Sequence, residues 1–169
     1  MIIVRFADDF VVGFQHERDA RRFQAELGRR LARFGLGLHP HKTRLIEFGR
    51  RAAIDRRRRG LGKPETFEVL GFTHICVWTR SGRFWVSRIT IAKRMRVKLA
   101  EIKDQLRRRC HRPIPEQGQW LRSVVQGHLV YYAVPGNIDA VKAFRTQATR
   151  HWYRGYSAAA SATGSTGRG

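Results

Sequence analysis

The sequence predicts an α+β fold, with strands and one helix in residues 1–90 and helices in residues 91–156. Two observations predict this division. Short β-prone runs separated by turn residues dominate the first part of the chain. In the second part, apolar residues recur at spacings of three and four, which is typical of amphipathic helices. We therefore expect two regions, followed by a tail at residues 157–169.

The first predicted elements are a hairpin and a helix. The β-prone runs Ile2 to Phe6 and Phe10 to Phe14 flank Ala7-Asp8-Asp9, so a hairpin with acidic residues at its tip is expected. Residues 17–34 follow with a helical period of apolar side chains, and Gly35 ends that pattern. The chain therefore opens with strand, strand and amphipathic helix.

The remaining predicted strands come before residue 90. Residues 38–48 favour an extended segment, and residues 50–63 are predicted to be a basic loop because they combine arginines with glycines. Residues 67–77 and 84–90 are β-prone runs on either side of a turn-forming segment. This pattern indicates a second hairpin.

Three helices are predicted after the strands, over residues 93–109, 117–132 and 140–156. The tail at residues 157–169 contains only Ala, Ser, Thr, Gly and one Arg, so it offers nothing to bury and is expected to be disordered. The abrupt change in composition also predicts a frameshift near residue 155.

The charge of the chain points to a polyanionic partner. Lys and Arg total 34 against 13 Asp and Glu, which gives a formal net charge of +21, and most of the basic residues are Arg. Guanidinium groups match phosphate oxygens well, so we expect a nucleic acid as the partner. Six arginines are candidates for contacts with backbone phosphates, although a solvated surface position is an equally good explanation for any single one. They are Arg56, Arg57, Arg58, Arg107, Arg108 and Arg109.

The cysteines and the apolar pattern indicate a reduced, cytoplasmic protein without a membrane partner. Cys76 and Cys110 are far apart in the sequence and have no further metal-ligand residues at suitable spacing, so ordinary thiols are expected. No signal peptide is recognisable, and no run of apolar residues is long enough for a membrane span.

Asp8 and Asp9 are the residues of this sequence that suggest a catalytic metal site. Two adjacent carboxylates at a tight turn repel each other, and a divalent cation relieves that repulsion. Magnesium prefers carboxylate and phosphate oxygens, and a two-ion magnesium site supports nucleotidyl transfer. A solvated turn without any ligand is the alternative, because an Asp-Asp pair in a loop is common.

Four segments together resemble group II intron-encoded reverse transcriptases, which are also called maturases. The first segment, Arg5 to Val11, resembles the (Tyr/Phe)-Ala-Asp-Asp turn of these enzymes. The others, in the order in which that family has them, are Leu36 to Thr43, Leu70-Gly71-Phe72 and Val125 to Tyr132. They resemble the Leu-x-Leu-Asn-x-x-Lys-Thr segment, the primer grip and the thumb region. The resemblance covers residues 1–156 and implies the C-terminal half of a polymerase palm followed by a helical thumb.

The resemblance also implies roles for individual residues. Asp8 would be a direct ligand of Mg²⁺ and Asp9 a supporting carboxylate, with two ions in the intact parent enzyme. Lys42 would lie near the phosphates of the incoming nucleotide. Phe6 would pack near the primer end, and Gly71 would belong to the primer grip. The implied partners are an RNA template or intron RNA and a DNA primer.

These enzymes use a third catalytic aspartate and a fingers region that this sequence does not contain. We therefore expect a fragment of an RNA-directed DNA polymerase that is inactive alone and regains activity with an upstream fragment. The apolar face of the first helix, with Phe23, Leu27 and Leu31, would dock that fragment. Two alternatives remain open: a non-catalytic, maturase-like RNA-binding protein, and a translated pseudogene.

Overall fold

The computed structural model describes residues 1–7 and 9–164, with side chains as far as Ser157. Within these residues the protein is α+β, as predicted, with five helices and two small antiparallel sheets. The chain divides into two compact units, Met1–Glu65 and Thr66–Gly169. This division precedes the second sheet, whereas the sequence analysis placed it near residue 90. The strands of residues 67–90 therefore belong with the helices that follow them.

The first unit opens with the predicted hairpin. Strands β1 (Ile2–Phe6) and β2 (Asp9–Gly13) pair antiparallel, from Ile2 opposite Gly13 to Phe6 opposite Asp9. Val4 faces Val11 across the pair. The β-branched residues of both runs favour this extended pairing.

Two helices complete the first unit. Helix α1 (Glu17–Ala32) begins and ends close to the predicted limits. Helix α2 (Arg50–Arg58) was not predicted, and the basic loop expected at residues 50–63 is wrong over that span. Arg and Ala are good helix formers, and left-handed glycines delimit the helix, with Gly49 before it and Gly60 after it.

The first unit has a thin core. Ala20 and Pro64 are its buried apolar side chains among the described residues, and the rings of Phe14 and Phe23 lie 5.4 Å apart between centroids. Ion pairs stabilise the segment around α2 instead. Glu47 accepts hydrogen bonds from Arg56 and Arg59, at 3.2 Å and 2.8 Å. These two guanidinium groups, Arg59 foremost, hold the pKa of the Glu47 carboxyl below its usual range.

The second unit begins with a three-stranded sheet in the order β3 (Phe67–Val69), β4 (Phe72–Trp78), β5 (Phe84–Thr90). The predicted hairpin of β4 and β5 is confirmed. The single strand predicted at residues 67–77 is wrong, because a turn at Leu70-Gly71 divides it into β3 and β4. Both turn residues have a positive φ, which reverses the chain within two residues.

Three helices form the core of the second unit. They are α3 (Ala92–Arg108), α4 (Ile114–Tyr132) and α5 (Ile138–Gly164). The core comprises Leu99, Ile102, Leu106, Leu121, Phe144 and Ala148. Phe144 is fully buried. Burial of this apolar surface is the main source of stability for the unit.

Asn137 joins the sheet to the helices. This side chain is 1% exposed, and its Oδ1 accepts a hydrogen bond of 2.9 Å from the backbone N–H of Thr90. Its Nδ2 donates to the Thr90 hydroxyl at 2.7 Å and to the Tyr132 carbonyl at 2.9 Å. These bonds connect the end of β5 to the α4–α5 turn. The second sheet therefore belongs to the helical unit.

Helix α5 continues beyond its predicted end at Tyr156 to Gly164. Ala-rich sequence favours this continuation of the helix over residues 157–164, and the disorder predicted for residues 157–169 stays a prediction. Residues 165–169 lie outside the described part of the chain. None of the described helices is both long enough and apolar enough to cross a membrane.

Candidate catalytic turn and nucleic-acid interface

The acidic turn of the first hairpin is tight. Phe6 and Asp9 are paired, so only residues 7 and 8 lie between the two strands. Ala7 has a φ of 52°, in the left-handed region that non-glycine residues seldom occupy. The Arg5 Nε donates a hydrogen bond of 2.9 Å to the carbonyl of Ala7 and so supports this conformation. Asp8 lies outside the described residues, so its metal-binding role stays a prediction.

Asp9 begins β2 and is exposed, as is its cross-strand partner Phe6. An exposed carboxylate at a turn supplies the hard oxygen ligands that Mg²⁺ prefers, so the donor chemistry fits the implied ion. In the described part of the chain, which omits Asp8, no three His, Cys, Asp or Glu side chains cluster closely enough to hold a metal. The described contacts join Asp9 to no other side chain.

Lys42 lies in a turn that follows α1. The Lys42 N–H donates to the carbonyl of His39 at 3.1 Å, and Pro40 is the second residue of this β-turn, where its fixed φ is favoured. The extended segment predicted at residues 38–48 is therefore interrupted, and no strand forms there. The Lys42 side chain is exposed. Its predicted contact with nucleotide phosphates stays a prediction.

Gly71 lies in the second unit, at the turn between β3 and β4. Its φ is 80°, and a Cβ at this position would lie 2.9 Å from the Tyr132 hydroxyl and 3.5 Å from the Arg94 guanidinium. The preceding residue, Leu70, has a φ of 51°, and its carbonyl accepts a 2.9 Å hydrogen bond from the Tyr131 hydroxyl. Contacts within the protein therefore account for a glycine here, whether or not it also contacts nucleic acid.

The three candidate arginines of α2 are not equivalent. Arg56 binds Glu47 and also donates to the carbonyl of Gly62 at 3.2 Å, and its side chain is only 21% exposed. Arg57 and Arg58 are exposed, and no carboxylate among the described residues lies within 4.0 Å of them. Arg57 and Arg58 are thus better placed than Arg56 to contact phosphates.

The three candidate arginines at the end of α3 also differ. Arg107 lies 4.0 Å from Asp104, at the outer limit of an ion pair. Arg109 is half-buried, with its guanidinium 4.6 Å from the ring centroid of Trp120 and hydrogen bonds to Gln105. Arg108 is exposed and has no carboxylate partner among the described side chains. The structure therefore assigns Arg109 a packing role in addition to any contact with phosphate.

Arg94 and Tyr131 lie beside the Leu70-Gly71 turn, a position that could not be predicted from the sequence. Arg94 is one of many cations on α3, and Tyr131 is one of several aromatics on α4, so neither stood out in the sequence. Their significance depends on contacts between residues far apart in the chain. A weak signal was present, because the motifs containing Gly71 and Tyr131 were both recognised.

Comparisons of the chain with protein-family models, with curated proteins and with solved structures found no match. Fold class and residue geometry are therefore the observations from which a function can be proposed.

Proposed function

We propose that this chain is part of an RNA-directed DNA polymerase of the group II intron type, with Asp8 and Asp9 at its catalytic turn. The observation that carries the proposal is the hairpin of β1 and β2, which presents Asp9 beside a two-residue turn and leaves it exposed. A hairpin of this kind holds carboxylates at its tip while the paired strands fix their position.

Backbone strain adds support. Ala7 and Leu70 are the two non-glycine residues with a positive φ in the described part of the chain. Each lies within one of the four segments that resemble the polymerase family. Left-handed backbone costs a non-glycine residue roughly 1–2 kcal/mol, and such conformations cluster at functional sites.

The exposed apolar surface of the hairpin supports the need for a second polypeptide. Ile2 is 72% exposed and Phe6 is 64% exposed on one face, and Ile3 and Phe10 are exposed on the other. An isolated two-stranded sheet is marginal in water, and apolar residues on both faces are typical of a strand pair inside a larger sheet. We expect an upstream fragment to dock here. The face of α1 named above is half-buried already.

Each residue then has a stated chemical task. Asp8 and Asp9 would hold Mg²⁺, which would supply positive charge near the attacking 3′-hydroxyl and the leaving pyrophosphate. Lys42 brings an ammonium group to the phosphates of the nucleotide, where it neutralises or protonates the leaving group. The ring of Phe6 packs against the primer end. The third carboxylate comes from the upstream fragment.

The test is primer extension on an RNA template with magnesium. The chain is assayed alone and mixed with an upstream fragment that supplies the fingers region and the third aspartate. We expect no extension by the chain alone and extension by the mixture. Asp8→Asn should abolish synthesis, because an amide lacks the charge that holds the ion. Lys42→Ala should slow synthesis without abolishing it.

Asp19→Asn is the matched control, since this exposed carboxylate lies on α1 and makes no closer ion pair among the described residues than the 4.0 Å approach to Arg18. It should extend primers at the rate of the unmodified mixture. Extension by the chain alone, or full activity with Asp8→Asn, would contradict the assigned roles.

A second candidate function is RNA binding without catalysis, as in a maturase-like protein. The second unit favours it, because it has its own apolar core and a basic surface that does not involve the acidic turn. RNA binding that survives Asp8→Asn, together with no extension by any mixture, would favour this candidate over the polymerase.

A further inference from the structure

A cleft of about 390 Å³ lies where α3 ends and α4 begins, entirely within the second unit. Three arginines and a histidine line it, with one carboxylate and one indole. These side chains are Arg108, Arg109, Arg112, His111, Glu116 and Trp120. The cleft therefore has a marked excess of cationic groups.

The walls of the cleft are fixed by contacts within the protein. The Arg109 guanidinium stacks on Trp120 at 4.6 Å and is held by Gln105. Gln117 is buried in the floor, where its Oε1 accepts a 3.2 Å hydrogen bond from the Trp152 indole. A rigid arrangement of donors loses little freedom when a ligand binds.

The backbone carbonyls of the α3–α4 turn accept hydrogen bonds from groups other than Arg108 and Arg112. Gln117 Nε2 donates to the Arg112 carbonyl at 2.8 Å and to the Cys110 carbonyl at 3.4 Å. Backbone N–H groups occupy the carbonyls of Leu106 and Arg107 in the same turn. The Arg109 guanidinium donates to Gln105, whereas the side chains of Arg108 and Arg112 make no hydrogen bond among the described residues, so their donors remain available.

Among the described residues that line the cleft, Glu116 is the one carboxylate. Glu116 approaches Arg112 at 3.7 Å, a distance too long for a strong hydrogen bond. Arg108 has no carboxylate within 4.0 Å among the described residues. At least one arginine in the cleft is thus without an internal counterion, and its fork of donors suits an oxygen-rich anion.

We propose that this cleft binds a phosphate group, held by Arg108 and Arg112 and flanked by His111 and Arg109. The phosphate belongs to an RNA strand, and that source rests on the proposed function above. The phosphate site itself does not depend on that function. A concave site with several arginines fits a phosphate at a strand end or a bend better than a smooth duplex backbone.

The test begins with inorganic phosphate, titrated into the full chain labelled with ¹⁵N. Saturable shifts of the Trp120 indole N–H and the Arg109 Nε–H are expected. The double variant Arg108→Gln, Arg112→Gln should weaken phosphate binding on the order of tenfold or more, because charge-assisted hydrogen bonds are lost. Glu116→Gln should strengthen it, since the competing carboxylate is removed. This opposite change argues against an effect of misfolding.

The matched control is Arg96→Gln with Arg145→Gln, two exposed arginines of the same unit that do not line the cleft. Phosphate affinity should be unchanged in this control. An equal loss in the control, or shifts that do not saturate, would overturn the proposal by showing only diffuse attraction to a basic surface.

A second arm identifies the source of the phosphate. The affinity of a 5′-phosphorylated RNA oligonucleotide is measured with the same variants. If Arg108→Gln, Arg112→Gln lowers the affinity for this RNA more than Arg96→Gln, Arg145→Gln does, the bound phosphate belongs to RNA. If the cleft variant lowers the affinity for inorganic phosphate but not for RNA, the site binds the free anion and the RNA source is wrong. The phosphate titration needs no primer, template or nucleotide. A negative primer-extension assay therefore does not affect the phosphate-site proposal, and the two proposals can fail independently.

Discussion

Gly71 is subject to two separate steric constraints, its left-handed backbone and its contact with Tyr132. Gly82 provides a comparison, because its φ is 74° and no described atom lies within 4 Å of a Cβ placed there. Gly82→Ala should therefore cost roughly 1 kcal/mol from backbone strain alone. Gly71→Ala should cost roughly 1 kcal/mol more, because the added methyl group displaces the Tyr132 ring.

The measurement is urea denaturation of the two alanine variants and of Gly71→Ala combined with Tyr132→Phe. Removing the hydroxyl should recover most of the difference between Gly71→Ala and Gly82→Ala. If Gly71→Ala leaves stability unchanged but weakens RNA binding, the internal explanation is wrong and a direct contact with nucleic acid is favoured.

His128 is a buried base in the core of the second unit. Its ring stacks on Phe144 at 3.5 Å between centroids, and its Nε2 has no hydrogen-bond partner among the described residues. Burial, with a smaller effect of Lys98, lowers the pKa of His128 to about 4. The unfolded chain binds this proton near pH 6.5, so the folded state should lose stability as the pH falls from about 6.5 to about 4.

That shift corresponds to at most about 3 kcal/mol. His128→Phe keeps a ring against Phe144 but removes its titrating group, so it should reduce the dependence of stability on pH over this range. His74 and His151 keep part of that dependence, because burial lowers their pKa values too. Urea denaturation at a series of pH values measures the effect. His16→Phe, the same substitution at an exposed histidine of the first unit, is the control. An equal slope in His128→Phe would rule out this origin.

Among the elements, the hairpin of β1 and β2 depends on the unusual backbone at Ala7. Glycine suits a φ of 52°, whereas a β-branched side chain does not. Ala7→Gly should therefore maintain or increase the protection of the hairpin amides against hydrogen exchange. Ala7→Val should decrease it, by roughly 1–2 kcal/mol in opening free energy.

The same substitutions at Ala25 give the control, because this exposed residue lies in the right-handed helix α1. At Ala25 the relative effects of the two substitutions should reverse. Glycine should lower the stability of the helix by about 1 kcal/mol, and valine should lower it by less. If both positions respond alike, the strained turn is not what determines the stability of the hairpin.

Elements with strong local signals could be predicted from the sequence. The hairpin of β1 and β2 follows from two β-prone runs around a polar turn, and α1 follows from its apolar spacing. Helix α2 could not be predicted in this way, because its apolar residues are too few to show a helical period. The turn that divides residues 67–77 was missed because Leu70 disfavours the backbone it adopts.

The candidate site, like the fold, could be predicted only where the sequence has a local signal. The acidic turn has a local signature, so its position was found in the sequence. The internal partners of Arg56 and Arg109 could not be found, because Glu47 and Trp120 are separated from them in the sequence and meet them only after folding. A count of arginines predicts a class of partner, but folding decides which arginines remain available.

For the whole molecule, the net charge of +21 predicts binding to RNA that weakens steeply with salt. Each phosphate neutralised on binding releases a counterion, so the slope of log affinity against log salt reports the number of contacts. Single-stranded nucleic acid contributes roughly 0.7 to that slope for each phosphate. The structure refines which arginines contribute, since Arg57 and Arg58 are exposed whereas Arg56 is bound to Glu47.

The double variant Arg57→Gln, Arg58→Gln should therefore reduce the slope by roughly one to two units, with little sequence preference in the RNA that is bound. Arg56→Gln is the matched control from the same helix and should leave the slope nearly unchanged. It should instead lower stability, because Glu47 loses one of its two cations. Fluorescence anisotropy over a range of salt concentrations gives the slopes, and circular dichroism checks that each variant is folded. If Arg56→Gln flattens the slope as much as the double variant does, the Glu47 ion pair opens when RNA binds, and the three arginines act as one surface.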